Sequence, residues 1–233
     1  PLDDAKNTSA SGIVTLDNNF VQIPSLQLEL DKTSGRLIFD NDKIWINKLR
    51  AELLGQTIAV DFKGEQAGDD YVLDIDVIGE NWEVTPLVPY ISEDLGEYLS
   101  GEASWQSSID VLLGKSDYEY TATVFSPLDS INSLLPAPFD KQQSVTKPLS
   151  ANIQGNKQAS NIKVTLGDEV TFDGILPHKE MQFSRAHLAI GATDFVGRGV
   201  GFSISAKLPE IQLTTWYQGI AALLSGMPAD DST

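Results

Sequence analysis

The stretch TIAVDFKGEQAGDDYVLDIDVI, residues 57–78, decides the fold of this chain. Apolar residues alternate with polar ones on both sides of its Gly68-Asp69-Asp70 turn. Apolar side chains at every second position indicate a β-strand with one buried and one solvated face. Two such strands joined by a short polar turn predict an antiparallel hairpin.

The same period-2 alternation continues along most of the chain. It recurs in residues 26–31, 103–113, 118–124 and 162–172. Several runs are about ten residues long, more than the ~5–6 residues of an average strand. The sequence therefore predicts an all-β fold of long antiparallel strands, in a curled sheet or open sandwich with a few short capping helices.

Helix signals occur in three places, and the pattern predicts short helices near residues 86–98, 127–135 and 215–225. In the second of these, Ser126-Pro127 is a typical helix start. Leu128, Ile131 and Leu135 would then form one apolar stripe. We expect this element to be a lid over the mouth or edge of an apolar sheet. It is either a fixed edge cover or a movable gate.

A weak internal repeat links the segments DVIGENWEVTPLVPYI (76–91) and SAKLPEIQLTTWYQGI (205–220). Both read as a strand followed by a turn and a short helix. This repeat predicts two modules, residues 1–100 and 101–233, each ending in such a unit.

The charge of the chain excludes two classes of partner. Sixteen basic residues against thirty-three acidic ones give a formal net charge of −17. An acidic surface repels the phosphate backbone of nucleic acids and anionic lipid headgroups. Binding of acyl chains stays possible, because it is driven by burial of apolar surface.

Signals for catalysis, metals and cofactors are weak throughout the sequence. The chain has no cysteine, so a Cys-ligated metal and a thiolate nucleophile are ruled out. It has two histidines. His187 sits in a strand pattern, where a lone histidine is usually structural. We expect neither an enzyme nor a cofactor, and no segment is apolar and long enough to be a transmembrane helix.

The apolar face of the predicted sheet is the candidate binding surface. It must either be buried against a second sheet, as in a closed sandwich, or line an open furrow, and alternation alone fits both. The residues alone favour a dry sandwich core. The candidate groove residues are Leu73, Ile75, Val77, Ile109, Val111, Tyr120 and Val124.

Four segments resemble the periplasmic region of YhdP-type, AsmA-like proteins, which are bridge-like lipid transfer proteins. They are SGRLIFDNDKIWINKLRAELLGQTIAVDFKG (34–64), YLSGEASWQSSIDVLL (98–113), VFSPLDSINSLLPAPFDK (124–141) and ISAKLPEIQLTTW (204–216). The third segment is the most specific, and the resemblance extends from about Gly12 to Trp216.

The resemblance implies an internal fragment of a long periplasmic protein that is anchored in the inner membrane of a Gram-negative envelope by a helix outside this fragment. It further implies a taco-like β groove that carries phospholipid acyl chains between the two membranes. This transport would contribute to outer-membrane biogenesis. Neighbouring modules of the same chain would be the other partners. The family has no agreed catalytic residues, so none is transferred here. The alternatives are a carbohydrate-binding module and a purely structural β-sandwich module.

Overall fold

The structure, a computed structural model, describes residues 9–23, 28–90, 92–191, 199–208 and 213–224. These residues form the following strands: β1 (Ser11–Ile23), β2 (Leu28–Asp40), β3 (Lys43–Leu53), β4 (Gln56–Ala67), β5 (Asp70–Glu83), β6 (Leu99–Leu113), β7 (Tyr118–Ser126), β8 (Ile131–Ser133), β9 (Leu149–Asn156), β10 (Ala159–Leu166), β11 (Val170–Pro177), β12 (Arg185–Ile190) and β13 (Gly201–Ala206). They also form two 3₁₀ helices, Thr85–Tyr90 and Glu93–Glu97, and one α-helix, α1 (Leu213–Leu224).

The described strands belong to one sheet in which neighbours in sequence are mostly neighbours in space. The order runs from β1 to β7 and then from β9 to β13, while β8 pairs with β6. The sheet has two ends and is not closed. The pairs along β1–β5 and β9–β12 are antiparallel, and β12 pairs with β13 in parallel. The predicted all-β class of long antiparallel strands is confirmed, and the single open sheet differs from the dry sandwich that the residues alone favour.

The chain divides into two compact units. The first unit comprises Pro1–Gly79 and Gln106–Thr121, and the second comprises Glu80–Trp105 and Ala122–Thr233. The division between modules 1–100 and 101–233 stays a prediction.

The described part of the first unit consists of strands and turns. Its three polar hairpin turns lie between β2 and β3, between β4 and β5, and between β6 and β7. An ion pair of 3.0 Å joins Lys115 of the third turn to Asp69 of the second. The three turns thus share one edge of the unit, as alternating antiparallel strands require.

The second unit contains a small covered core beside its strands. Val88, Leu95 and Leu135 are 3%, 1% and 5% exposed and pack together. Around them lie the half-buried side chains of Val84, Tyr98, Leu99 and Phe139. These residues come from the 3₁₀ helices, from the adjoining end of β6 and from residues 135–139, so three chain segments cover one another here.

Two of the three predicted helices are confirmed. The segment near 86–98 forms the two 3₁₀ helices, with Ile91 outside the described residues. The segment near 215–225 corresponds to α1, and residue 225 likewise lies outside.

The predicted helix over residues 127–135 is wrong. The Ser126 hydroxyl donates to the carbonyl of Ser104 at 2.8 Å, and Leu128 has a φ of 51°. A left-handed backbone at Leu128 is incompatible with the first turn of an α-helix. Ile131–Ser133 instead forms β8, which pairs with Leu99–Gly101 of β6. Pairing with a distant strand supplied backbone partners that the local pattern did not reveal.

Candidate functional site

The β5 candidates lie on one face of the first unit. Leu73 is opposite Gly64 of β4, Ile75 is opposite Phe62, and Val77 is opposite Val60. Directly opposed residues of an antiparallel pair point to the same side of the sheet. The pairing of β4 with β3, and of β3 with β2, extends this surface to those two strands. We call the whole surface the apolar face. Its members are Leu37, Phe39, Ile44, Ile46, Val60, Phe62, Leu73, Ile75 and Val77.

The candidates on β6 and β7 follow the same alternation. Ile109 and Val111 are half-buried, whereas Asp110 and Leu112 between and beyond them are exposed. On β7, Tyr120 is half-buried and stacks on Tyr118, with ring centroids 6.3 Å apart. Val124 is half-buried too, and it belongs to the second unit.

The apolar face is covered only in part. All nine members are half-buried, and none reaches the burial of the core in the second unit. Toward one end of the same face the side chains become buried, with Leu49, Ala51 and Ile58 at 5%, 2% and 3% exposure. A contiguous apolar surface that stays accessible to solvent usually marks a binding site.

Tyr71 adds one polar group to this surface, and no pattern in the sequence marks it as a binding residue. Its side chain lies against Gly64, and its hydroxyl is buried without a hydrogen-bond partner among the described residues. Burial raises the pKa of Tyr71, and the negative charges of Asp42 and Glu65 raise it further. The phenol is therefore neutral and keeps its proton, so it is a hydrogen-bond donor.

The predicted lid residues lie in the loop between β7 and β9, residues 127–148, which contains β8 and belongs to the second unit. Ile131 and Leu135 are both 5% exposed, and Leu128 is half-buried. Leu134, between them in sequence, is 66% exposed. Ile131 and Leu135 are thus buried on a backbone that is not helical, and the role of the three residues as a lid stays a prediction.

Lys141 stabilises this loop, a role that is not predicted from the sequence. Its ammonium group, on a side chain buried to 6% exposure, donates to the carbonyls of Ile131 at 2.7 Å, Gln142 at 3.2 Å and Asp129 at 3.3 Å. Burial lowers the pKa of Lys141. The signal for this role is a lysine directly after the proline-rich LPAPFD segment, but its partners are backbone atoms that only the folded loop assembles.

His187 is held within the β12–β13 pair by two side-chain contacts. Both ring nitrogens of His187 contact serine hydroxyls, Ser203 at 2.8 Å and Ser205 at 3.1 Å, across the β12–β13 pair. No three His, Asp or Glu side chains of the described ranges converge on a possible metal position. Within those ranges, moreover, the helices are too short or too polar to cross a bilayer.

Comparison with known proteins identifies the family. The chain matches the family described as YhdP protein over residues 1–232. The protein named "Intermembrane phospholipid transporter YhdP" from Escherichia coli (strain K12) is 28% identical over 160 residues. That alignment covers 67% of this chain and 12% of the E. coli protein, and no solved structure matches. Because the family match covers almost the whole sequence, this chain belongs to the YhdP family.

Proposed function

We propose that this chain is a non-enzymatic segment of a longer envelope protein. Its apolar β groove carries phospholipid acyl chains between the inner and outer membranes. We place it in the periplasm, with the full-length protein anchored in the inner membrane and neighbouring modules of the same chain as further partners. The name of the E. coli relative and the small share of its length covered here support this placement.

The observation that carries the proposal is the half-exposed apolar face of the first unit. Burying apolar surface contributes ~25 cal/mol per Å², and each buried CH₂ of an acyl chain contributes ~0.8 kcal/mol. Such binding needs an unbroken apolar path and no particular side-chain chemistry. Rows such as Ile46, Phe62 and Ile75, aligned across three strands, supply a path of this kind.

Seven side chains are the proposed contacts for acyl chains. They are Leu73, Ile75, Val77, Ile109, Val111, Tyr120 and Val124. Tyr71 is a candidate donor to an ester oxygen, since its hydroxyl has no partner among the described residues. The outward carboxylates of Asp74 and Asp76, both exposed, keep that side of the sheet hydrated and away from anionic bilayers.

For the segment that contains Leu128, Ile131 and Leu135, we propose a fixed cover and not a movable gate. Opening it would expose the buried Ile131 and Leu135 side chains to water. It would also break the hydrogen bonds of Lys141 to backbone carbonyls. Both costs act against frequent opening.

A charge in the middle of the proposed path tests the conduit. In the full-length protein, Val111→Asp should block lipid transfer, because an acyl chain cannot pass a carboxylate without desolvating it. Leu112→Asp is the matched control: its site is the next residue, on the other side of β6, and is 41% exposed. We would measure photo-crosslinking of lipid from a probe at Ile109, together with outer-membrane integrity.

The expected result is loss of lipid crosslinking in Val111→Asp and its retention in Leu112→Asp. A folded Val111→Asp protein that still crosslinks lipid and supports the envelope would refute the conduit. If Val111→Asp does not fold, Tyr120→Asp and Ile75→Asp repeat the test at other positions of the path. Unfolding by all three substitutions would indicate a closed core in place of a groove.

A further inference from the structure

A concave surface of the first unit is lined mainly by side chains on the strand face opposite to the apolar face. It is a cavity of about 480 Å³ on β3, β4 and β5, and its lining also includes Ile44, Ile46 and Phe62 of the apolar face. In one row across these strands, Trp45 is opposite Lys63, which in turn is opposite Asp74. In the next row, Asp61 is opposite Asp76. The volume lies within the range of small-molecule sites, about 300–1,000 Å³.

The backbone of β3 builds this concavity. The register with β4 shifts between Ile46 and Leu49, and Lys48 has a φ of 54°. Such an irregularity bends the strand locally. The Lys48 N–H donates to Asp61 Oδ1 at 2.8 Å, so one carboxylate of the cavity is held in place by the bend itself.

The cavity combines a flat apolar wall with both donors and acceptors. The half-buried indole of Trp45 is the wall. Asp61, Asp74 and Asp76 accept hydrogen bonds, while Lys63 and Asn47 donate them. A sugar matches this arrangement, because each hydroxyl both donates and accepts and the C–H face of the ring packs against an aromatic surface.

We infer that this cavity binds a neutral saccharide. Carboxylates outnumber ammonium groups along the lining, so an anionic ligand would be repelled. A small cation would be repelled by the ammonium group of Lys63, whose Nζ lies 3.6 Å from Glu65 Oε1. The aromatic and charged side chains of this lining stand on the side of the sheet away from the proposed lipid path, whereas Ile46 and Phe62 belong to both, so the test below follows saccharide binding and lipid crosslinking separately.

Titration with defined oligosaccharides tests the inference. We would follow the binding of cellotetraose and chitotetraose to this 233-residue chain by calorimetry and saturation-transfer NMR, with tetragalacturonate as the anionic comparison. Trp45→Ala and Asp76→Asn should each weaken binding of a neutral tetramer about tenfold or more, a loss of about 1.4 kcal/mol. Tyr217→Ala, which removes an aromatic ring that is 75% exposed in the second unit, should leave binding unchanged.

Three results would overturn the inference: neither neutral tetramer binds at millimolar concentration, the anionic tetramer binds equally well, or binding is the same in Trp45→Ala. Trp45→Phe should retain part of the affinity, since a flat ring remains. If Trp45→Ala does not fold, Asp76→Asn decides, because Asp76 is exposed and its exchange preserves shape. Lipid crosslinking from Ile109 should be the same in all these variants, which separates this test from that of the conduit.

Discussion

The two units use similar aliphatic residues in different surroundings. In the second unit, Leu95 and its neighbours are almost completely covered, because 3₁₀ helices and the loop that contains Leu135 lie over them. In the first unit, Leu73 and Ile75 belong to apolar rows that run across the strands, and these residues remain half-exposed. Residue type therefore does not separate a core from a binding surface. What separates them is whether another segment of the chain covers the row.

The largest effect that we expect is from a charge placed inside the covered loop. Leu135→Asp should cost about 3–5 kcal/mol at pH 7, since it places a carboxylate among the apolar side chains of Val88 and Leu95 at a site of 5% exposure. Limited proteolysis should then cleave between residues 126 and 147 before the sheet unfolds. Leu134→Asp, at a site of 66% exposure, is the control and should leave both stability and cleavage unchanged. Equal cleavage in both variants would contradict the buried placement of Leu135.

Truncation of matched leucines compares the two units directly. Leu95→Ala should cost about 2–5 kcal/mol, because a side chain of 1% exposure leaves a cavity. Leu73→Ala should cost about 1 kcal/mol, since part of that side chain already faces water. Urea unfolding measures both free energies. A loss at Leu73 as large as that at Leu95 would indicate that the apolar face is a closed core.

Removing the buried ammonium group is the next test. Lys141→Met should cost about 1–3 kcal/mol, since carbonyls inside the loop lose their donor. Lys115→Met, which removes an exposed ion pair, should change stability by at most about 1 kcal/mol. If the two substitutions had the same effect, Lys141 would not stabilise the loop.

The lowered pKa of Lys141 also predicts a pH dependence with a definite sign. Between the lowered native pKa and the ordinary value of 10.5, the unfolded chain binds more protons at this residue than the folded chain. The contribution of Lys141 to the free energy of unfolding should therefore rise with pH in that window. The difference in the free energy of unfolding between the natural protein and Lys141→Met, measured at several pH values, gives the contribution of Lys141. A difference that shrinks toward pH 10.5 would contradict the burial of the ammonium group.

The smallest effect is expected on the outer face. Asp74→Ala should change stability by no more than about 0.5 kcal/mol, because the side chain is exposed beside Lys63. Its neighbour in sequence, Leu73, should respond more strongly. Equal responses would mean that the register of β5 is shifted by one residue.

Local patterns predicted the strands well because their cause is local. Alternation placed Leu73, Ile75 and Val77 on one side of β5 and the carboxylates on the other, as observed. The same reasoning failed at residues 127–135, where spacing compatible with a helix belongs to a turn and a short strand. There, the partner strand β6 and the side chain of Lys141 supply the backbone hydrogen bonds, and both depend on distant contacts.

By itself, the sequence determined the all-β class, the side of each strand on which apolar residues stand, and the absence of disulfides. Each of these follows from residue type and a period of two, which act over a few neighbouring positions. Only the tertiary structure decided which apolar rows are covered and which stay half-exposed. Alternation is the same at Leu73, which is half-exposed, and at Ile58, which is 3% exposed, so a period of two does not determine how far a position is covered. Burial is a property of all segments that meet at a surface, so no local pattern contains it.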